Sequence, residues 1–191
     1  MLSENFFKAL DYAGHLHGED LRKGTEIPYV CHLLAVCGLT MEYGGSEHAA
    51  IAALLHDALE DHPRDGRTDA EIRDAFPEEV LAIVKECSQT GEHTKASWRQ
   101  RKEQYVNHLG HASDAALLVS ACDKLHNIRA IIRDYKAHGD DLWQRFNARA
   151  EDTLWYYRAV SDTLAPTTVP DALKADLETH VRELERLAAG R

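Results

Sequence analysis

At 191 residues, with 44% hydrophobic and 28% charged residues, the chain has the balance of a globular protein long enough to bury a core unaided. Its formal net charge of −10 argues against general binding to nucleic acid or to anionic membranes, both of which need a basic surface field. No apolar run reaches the about 18 residues of a membrane span, and Met1-Leu2-Ser3-Glu4-Asn5 lacks the basic region and apolar centre of a signal peptide. A cytoplasmic protein with no membrane and no nucleic-acid partner is expected.

Nearly every segment reads as helix. Ser3 caps a first helix with Phe6, Phe7, Leu10 and Ala13 at helical spacing, ending near His17-Gly18. A charged, irregular loop follows to Pro28, punctuated by Gly24. A second helix runs from about Tyr29 to Tyr43, with Leu33, Leu34, Val36, Cys37 and Leu39 as core candidates, and Gly44-Gly45 stops it. Ser46 caps a central helix that buries Ala49, Ile51, Ala52, Ala53, Leu54 and Leu55 almost all round and continues to Asp61. His62 to Arg67 reads as a surface loop, Thr68-Asp69-Ala70-Glu71 has capping-box spacing, and Pro77 opens a further helix through Val80, Leu81, Ile83 and Val84. Residues 88–97 form a polar segment. A basic helix then runs from Trp98 to Gly110, followed by a long helix capped by Ser113 and stopped at Gly139. One more helix carries Leu142, Trp143, Phe146, Leu154, Trp155 and Tyr157 as core residues, and a last one spans Asp171 to Leu187. There is no alternating strand pattern, repeat or low-complexity tract, so the fold class is all-α and residues 1–191 read as one domain. Cys31, Cys37, Cys87 and Cys122 form no Cys-x-x-Cys pair and read as small buried hydrophobes.

The chemistry concentrates at the end of the central helix. On a continuous α-helix His56, Asp57, Glu60 and Asp61 share an arc of roughly 140°, directly after the apolar run. A helix end that merely turns polar would account for any one of them, but less readily for two adjacent pairs one turn apart. Asp123 lies on or beside the apolar stripe of the long helix, a costly place for a carboxylate without a cation nearby. His32 sits in the first turn of the second helix. Two imidazoles and two carboxylates suit a borderline-hard divalent metal such as Mn²⁺ or Fe²⁺, which would activate water as a nucleophile. Glu60 and Asp61 would then handle a proton, unless they only pair with a nearby arginine. Spacing alone does not bring His32 and Asp123 to one point.

Three blocks in order carry a likeness that does: Arg22-Lys23-Gly24-Thr25-Glu26-Ile27-Pro28-Tyr29-Val30-Cys31-His32, Ala52 to Asp61, and Asp123-Lys124-Leu125-His126-Asn127-Ile128-Arg129. The chain resembles the HD superfamily of metal-dependent phosphohydrolases, and more narrowly the hydrolase domain of RelA/SpoT-type alarmone enzymes and the stand-alone small alarmone hydrolases. The resemblance implies an HD-type helical bundle with a metal-site core over 13–133 and C-terminal helices over 140–189. It implies that His32, His56, Asp57 and Asp123 ligate Mn²⁺ and that Glu60 and Asp61 activate or position water. It further implies that Arg22, Lys23 and Asn127 contact a purine nucleotide, the small-molecule substrate, and that its 3′-pyrophosphate is hydrolysed. Lys102, in the basic helix, is a candidate phosphate contact by the same likeness, with a solvated face as its alternative. His15, His17 and His126 flank the blocks and take supporting or structural roles. Two departures stand out: one extra residue between Arg22 and Pro28, and His62 where the family has Thr or Gln. Guanine (ppGpp) and adenine (ppApp) substrates both stay open, and a chain ending at 191 is expected to hydrolyse without synthesising. A broader phosphohydrolase acting on nucleoside monophosphates and a non-catalytic nucleotide sensor are the competing readings.

Overall fold

A computed structural model describes residues 2–88, 97–145 and 148–190. Helix α1 (Glu4–Leu16) starts where the Ser3 hydroxyl accepts from the Asn5 amide, and α2 (Val30–Glu42) ends before Gly44, whose φ of +86° suits the left-handed position after a helix. α3 (Glu47–Leu55) is capped by Ser46, and every residue from Ala49 to Leu55 is buried. α3 packs against α1 and α2, and also against α6 (Glu78–Cys87) and the long α8 (Asp114–His138), which is why it tolerates no polar face. α9 (Ala150–Leu164) and α10 (Asp171–Ala189) pack on each other and on α8. α5 (Arg67–Ala75) and α7 (Trp98–Leu109) complete the helices, the latter opened by a Ser97–Gln100 capping box. Among the described residues there is no strand beyond an isolated Leu21–Pro28 bridge. None of their helices is long and apolar enough to cross a membrane.

Several expectations are corrected. The central helix is not continuous: α3 stops at Leu55, His56 and Asp57 form a turn, and a short α4 (Ala58–Asp61) follows. His56 and Asp57 keep helix-like backbone angles, so the pattern of side chains gives no sign of the interruption. The freed His56 carbonyl accepts instead from the Ser88 hydroxyl at 3.3 Å. Thr68 does not cap α5, which begins one residue earlier behind Gly66; Thr68 is buried and donates its hydroxyl to the His62 carbonyl. Leu34 (47% exposed) lies outside the core it was a candidate for, because it occupies the solvent side of its helix, as does Phe7 (59% exposed) in α1. Cys31 is exposed, unlike the buried Cys37 and Cys122. The helix expected from Leu142 to Tyr157 is a 3₁₀ turn over Gly139–Arg145 and the separate α9, with Phe146 outside the described residues. Of the polar segment 88–97, residues 89–96 also lie outside them.

The charged loop before α2 is compact. The Arg22 amide donates to the Ile27 carbonyl at 2.8 Å, Thr25 closes a turn onto the Arg22 carbonyl, and the Tyr29 amide donates to the Asp20 carbonyl at 2.8 Å. Gly24, at φ +71°, makes the reversal available to this turn.

Candidate metal centre and adjoining cavity

His32, in the first turn of α2, and Asp123, near the middle of α8, converge on the His56–Asp57 turn. His56 Nε2 lies 3.0 Å from Asp57 Oδ2 and 3.7 Å from Asp123 Oδ1, and His32 Nε2 lies 3.2 Å from Asp123 Oδ1 and 3.6 Å from Asp57 Oδ2. Asp57 follows His56 directly at the end of α3, whose residues from Ala49 to Leu55 stay locked in the core.

The donor set fits a divalent cation. His56 Nδ1 is 2.8 Å from the Ala53 carbonyl, which can only accept, so Nδ1 carries a ring proton and Nε2 is the nitrogen that faces the carboxylates, where a cation would take the place of a second proton. That Nε2 is buried with no hydrogen-bond partner, which is unusual for an imidazole and ordinary for a metal ligand. The residues behind the four side chains fix their orientation. Tyr29 donates its hydroxyl to Asp57 Oδ2 at 2.6 Å, Lys124 and Asn127 bond the Asp123 carboxylate, and His126 Nδ1 lies 2.7 Å from His32 Nδ1. Burial opposes charge on His56, yet the carboxylates of Asp57 and Asp123 hold its imidazole well above its ordinary value. Burial likewise opposes charge on Asp57 and Asp123, but His56, His32 and, for Asp123, Lys124 hold both carboxyls well below the usual range. Burial first, then the charges of His32 and Arg22, lowers His126 to about 4, so its ring stays neutral behind His32.

Glu60 and Asp61 lie on α4, one turn past the centre, and both are exposed. Partial loss of water, then the charges of Asp57 and Glu60, push the Asp61 carboxyl up to about 6. Next to the centre opens a cavity of about 380 Å³ whose lining includes Arg22, Lys23, His32, His126, Asn127 and Tyr157. Arg22 Nη2 donates to Asn127 Oδ1 at 2.7 Å, and its guanidinium stands 5.7 Å from the Tyr29 ring centroid. Lys102 is not on this wall. Its Nζ lies 5.1 Å from the Tyr156 ring centroid and 6.0 Å from that of Tyr105, on the side where Lys124 approaches Tyr105 at 4.8 Å. Burial, then the charge of Lys124, lowers the Lys102 ammonium to about 8.

The HD domain family matches residues 9–153. The chain belongs to the HD domain family. Among relatives of this HD protein, the guanosine-3′,5′-bis(diphosphate) 3′-pyrophosphohydrolase MESH1 of Xenopus tropicalis is 35% identical over 129 residues, 66% of this chain and 69% of that one. The MESH1 of Drosophila melanogaster is 29% identical, across 91% of this chain and 92% of its own. The solved structure of a metazoan ortholog of SpoT superposes with a TM-score of 0.76 at 24% identity, covering 96% of this chain and 97% of that one, and so has the same fold.

Sequence reasoning missed Tyr29 and Lys124 as supports of the centre, although both lie inside the matched blocks. Tyr157, read as core, is buried but also contributes to the cavity wall. His126 contacts His32, whereas His17 stands apart with Asp20 and His62.

Proposed function

We propose that this HD protein is a metal-dependent 3′-pyrophosphohydrolase of purine alarmones, (p)ppGpp or (p)ppApp, with Mn²⁺ as its cation. The observation that carries the reading is the meeting of two imidazole nitrogens, that of His56 without a hydrogen-bond partner, and two carboxylates beside a cationic cavity of nucleoside size. His32, His56, Asp57 and Asp123 would hold the ion, which supplies Lewis acidity and a lowered pKa for water. Asp61, whose carboxyl is poised near neutrality, accepts the proton of the attacking water, and Glu60 orients that water beside it. Arg22, Lys23 and Asn127 hold the nucleoside in the cavity. Lys124, bonded to Asp123, and Lys102, over the Tyr105 and Tyr156 rings that Lys124 also approaches, bring positive charge outside the wall of that cavity, which suits a pyrophosphate group. The names of the relatives support this choice of substrate.

The test is a hydrolysis panel of ppGpp, pppGpp, ppApp and pppApp with Mn²⁺, with products separated and identified. Release of pyrophosphate and a nucleoside 5′-phosphate species is expected from at least one. Orthophosphate released from nucleoside monophosphates, with all four alarmones left intact, refutes the assignment.

A further inference from the structure

A second group of ligand-type side chains stands apart from the centre. His17 caps the C-terminal end of α1, Asp20 lies in the loop after it, and His62 follows α4. Asp20 Oδ2 is 2.8 Å from His17 Nδ1 and 2.6 Å from His62 Nε2, and ligand atoms of all three lie within 4.8 Å of one another. We propose that His17, Asp20 and His62 form a second divalent-metal site, selective for borderline ions of the Zn²⁺ and Co²⁺ type.

The backbone around the three is pinned. The His17 amide donates to the Ala13 carbonyl at 3.0 Å, and the Asp20 amide donates to the His17 carbonyl at 3.1 Å. The Asp20 carbonyl accepts from Tyr29, and the His62 amide donates to the Ala58 carbonyl at 3.1 Å. His17 is buried, and its ring stacks on Tyr29 with centroids 5.4 Å apart and meets the His62 ring edge-on at 4.7 Å. Its Nε2 has no hydrogen-bond partner, so the ring's surroundings satisfy only one of its two nitrogens. The side chains of His62 (27% exposed) and Asp20 (36% exposed) leave one flank open to water, as a site with three protein ligands requires.

Two nitrogens and one carboxylate oxygen make a set for a borderline divalent ion. The 2.6 and 2.8 Å separations are those of two N–H···O hydrogen bonds, and a metal would replace both protons. Donors about 2.0–2.2 Å from one tetrahedral ion stand about 3.4 Å apart, so these need to spread by less than about 1 Å, within reach of side-chain rotation. The surroundings favour a cation, because Asp61 precedes His62 in the chain and Asp20 itself lies against both rings, which places carboxylates beside the three ligand atoms. An ion there offsets that charge at the approach of an anionic substrate, and its binding does not depend on turnover.

The full chain, stripped of metal, is titrated with Zn²⁺ alone and with Co²⁺ alone. Bound ions per chain are counted after dialysis, with Co²⁺ visible absorption as a second readout. About two ions per chain are expected for the parent, about one each for Asp123→Asn and for His62→Ala, and none for the double variant. Circular dichroism reports folding, and His56→Ala gives the same count if Asp123→Asn does not fold. An Asp123→Asn chain that binds neither ion, or whose remaining ion survives His62→Ala and Asp20→Asn, overturns the second site and leaves Asp20 as a plain acceptor of two hydrogen bonds. Loss of the His62-dependent ion alone leaves the first centre's count intact, so the two assignments fail separately.

Discussion

Asp61 is the residue whose surroundings say most about proton handling. Its carboxyl, pushed up to about 6 by lost hydration and by Asp57 and Glu60, takes a proton more readily in the folded than in the unfolded chain. It therefore favours folding at low pH, and that contribution is lost as pH rises through about 6. Asp61→Asn is accordingly expected to raise the melting temperature at pH 8 more than at pH 5, while cutting kcat by about 100-fold or more. Calorimetric melts at the two pH values, beside kinetics, check both halves. In the parent, kcat should fall on the acid side with a midpoint near 6, since the base must be ionised. Glu60→Gln should also lower kcat by about 100-fold and retain full metal content. Lys102 makes a different statement. With its ammonium lowered to about 8, KM for a polyanionic substrate should climb above that pH, and Lys102→Ala should raise KM about tenfold with a smaller effect on kcat. A flat KM profile from pH 7 to 9 would show that this lysine faces no phosphate.

At the scale of elements, the interruption between α3 and α4 separates two jobs that a single rod would confuse. α3 is fixed on all sides, while α4 carries Glu60 and Asp61 into solvent. Ser88, at the end of α6, takes up the His56 carbonyl that the interruption releases and also bonds the Val84 carbonyl at 2.8 Å. Ser88→Ala should cost about 1 kcal/mol, because the buried carbonyl loses that donor. Urea unfolding measures it. The helices themselves were legible: serine caps at 3, 46 and 113 and the apolar periods between them place α1, α3 and α8. The break at His56-Asp57 was not, since both residues keep right-handed helical angles and neither Gly nor Pro marks it. Leu34 misled for a related reason, because α2 packs on one side only and the sequence does not say which of the adjacent Leu33 and Leu34 turns to the core.

For the whole molecule, the metal centre depends on a core that spans α1, α2, α3, α6 and α8. Leu54 is fully buried within it, and Leu54→Ala should destabilise the fold by about 2–5 kcal/mol, measurable by chemical denaturation. The four ligand candidates were legible because their blocks occur in a familiar order, but the contacts supporting them were not. Tyr29 reaches Asp57 across 28 residues, and His62 reaches Asp20 across 42, distances over which one sequence carries no pairing signal. α8 has a further consequence for which substrates can fit. Asp123 at the centre and Asn127 at the cavity sit one turn apart on the same unbroken helix of 25 residues, a rise of about 6 Å. On the proposed reading, in which Asp123 holds the ion and Asn127 the nucleoside, the span between the reacting phosphorus and the sugar is set by helical pitch, as on a ruler that no loop motion can stretch. Analogues lengthened by a single methylene between those two groups should be refused for their length alone, whatever their charge.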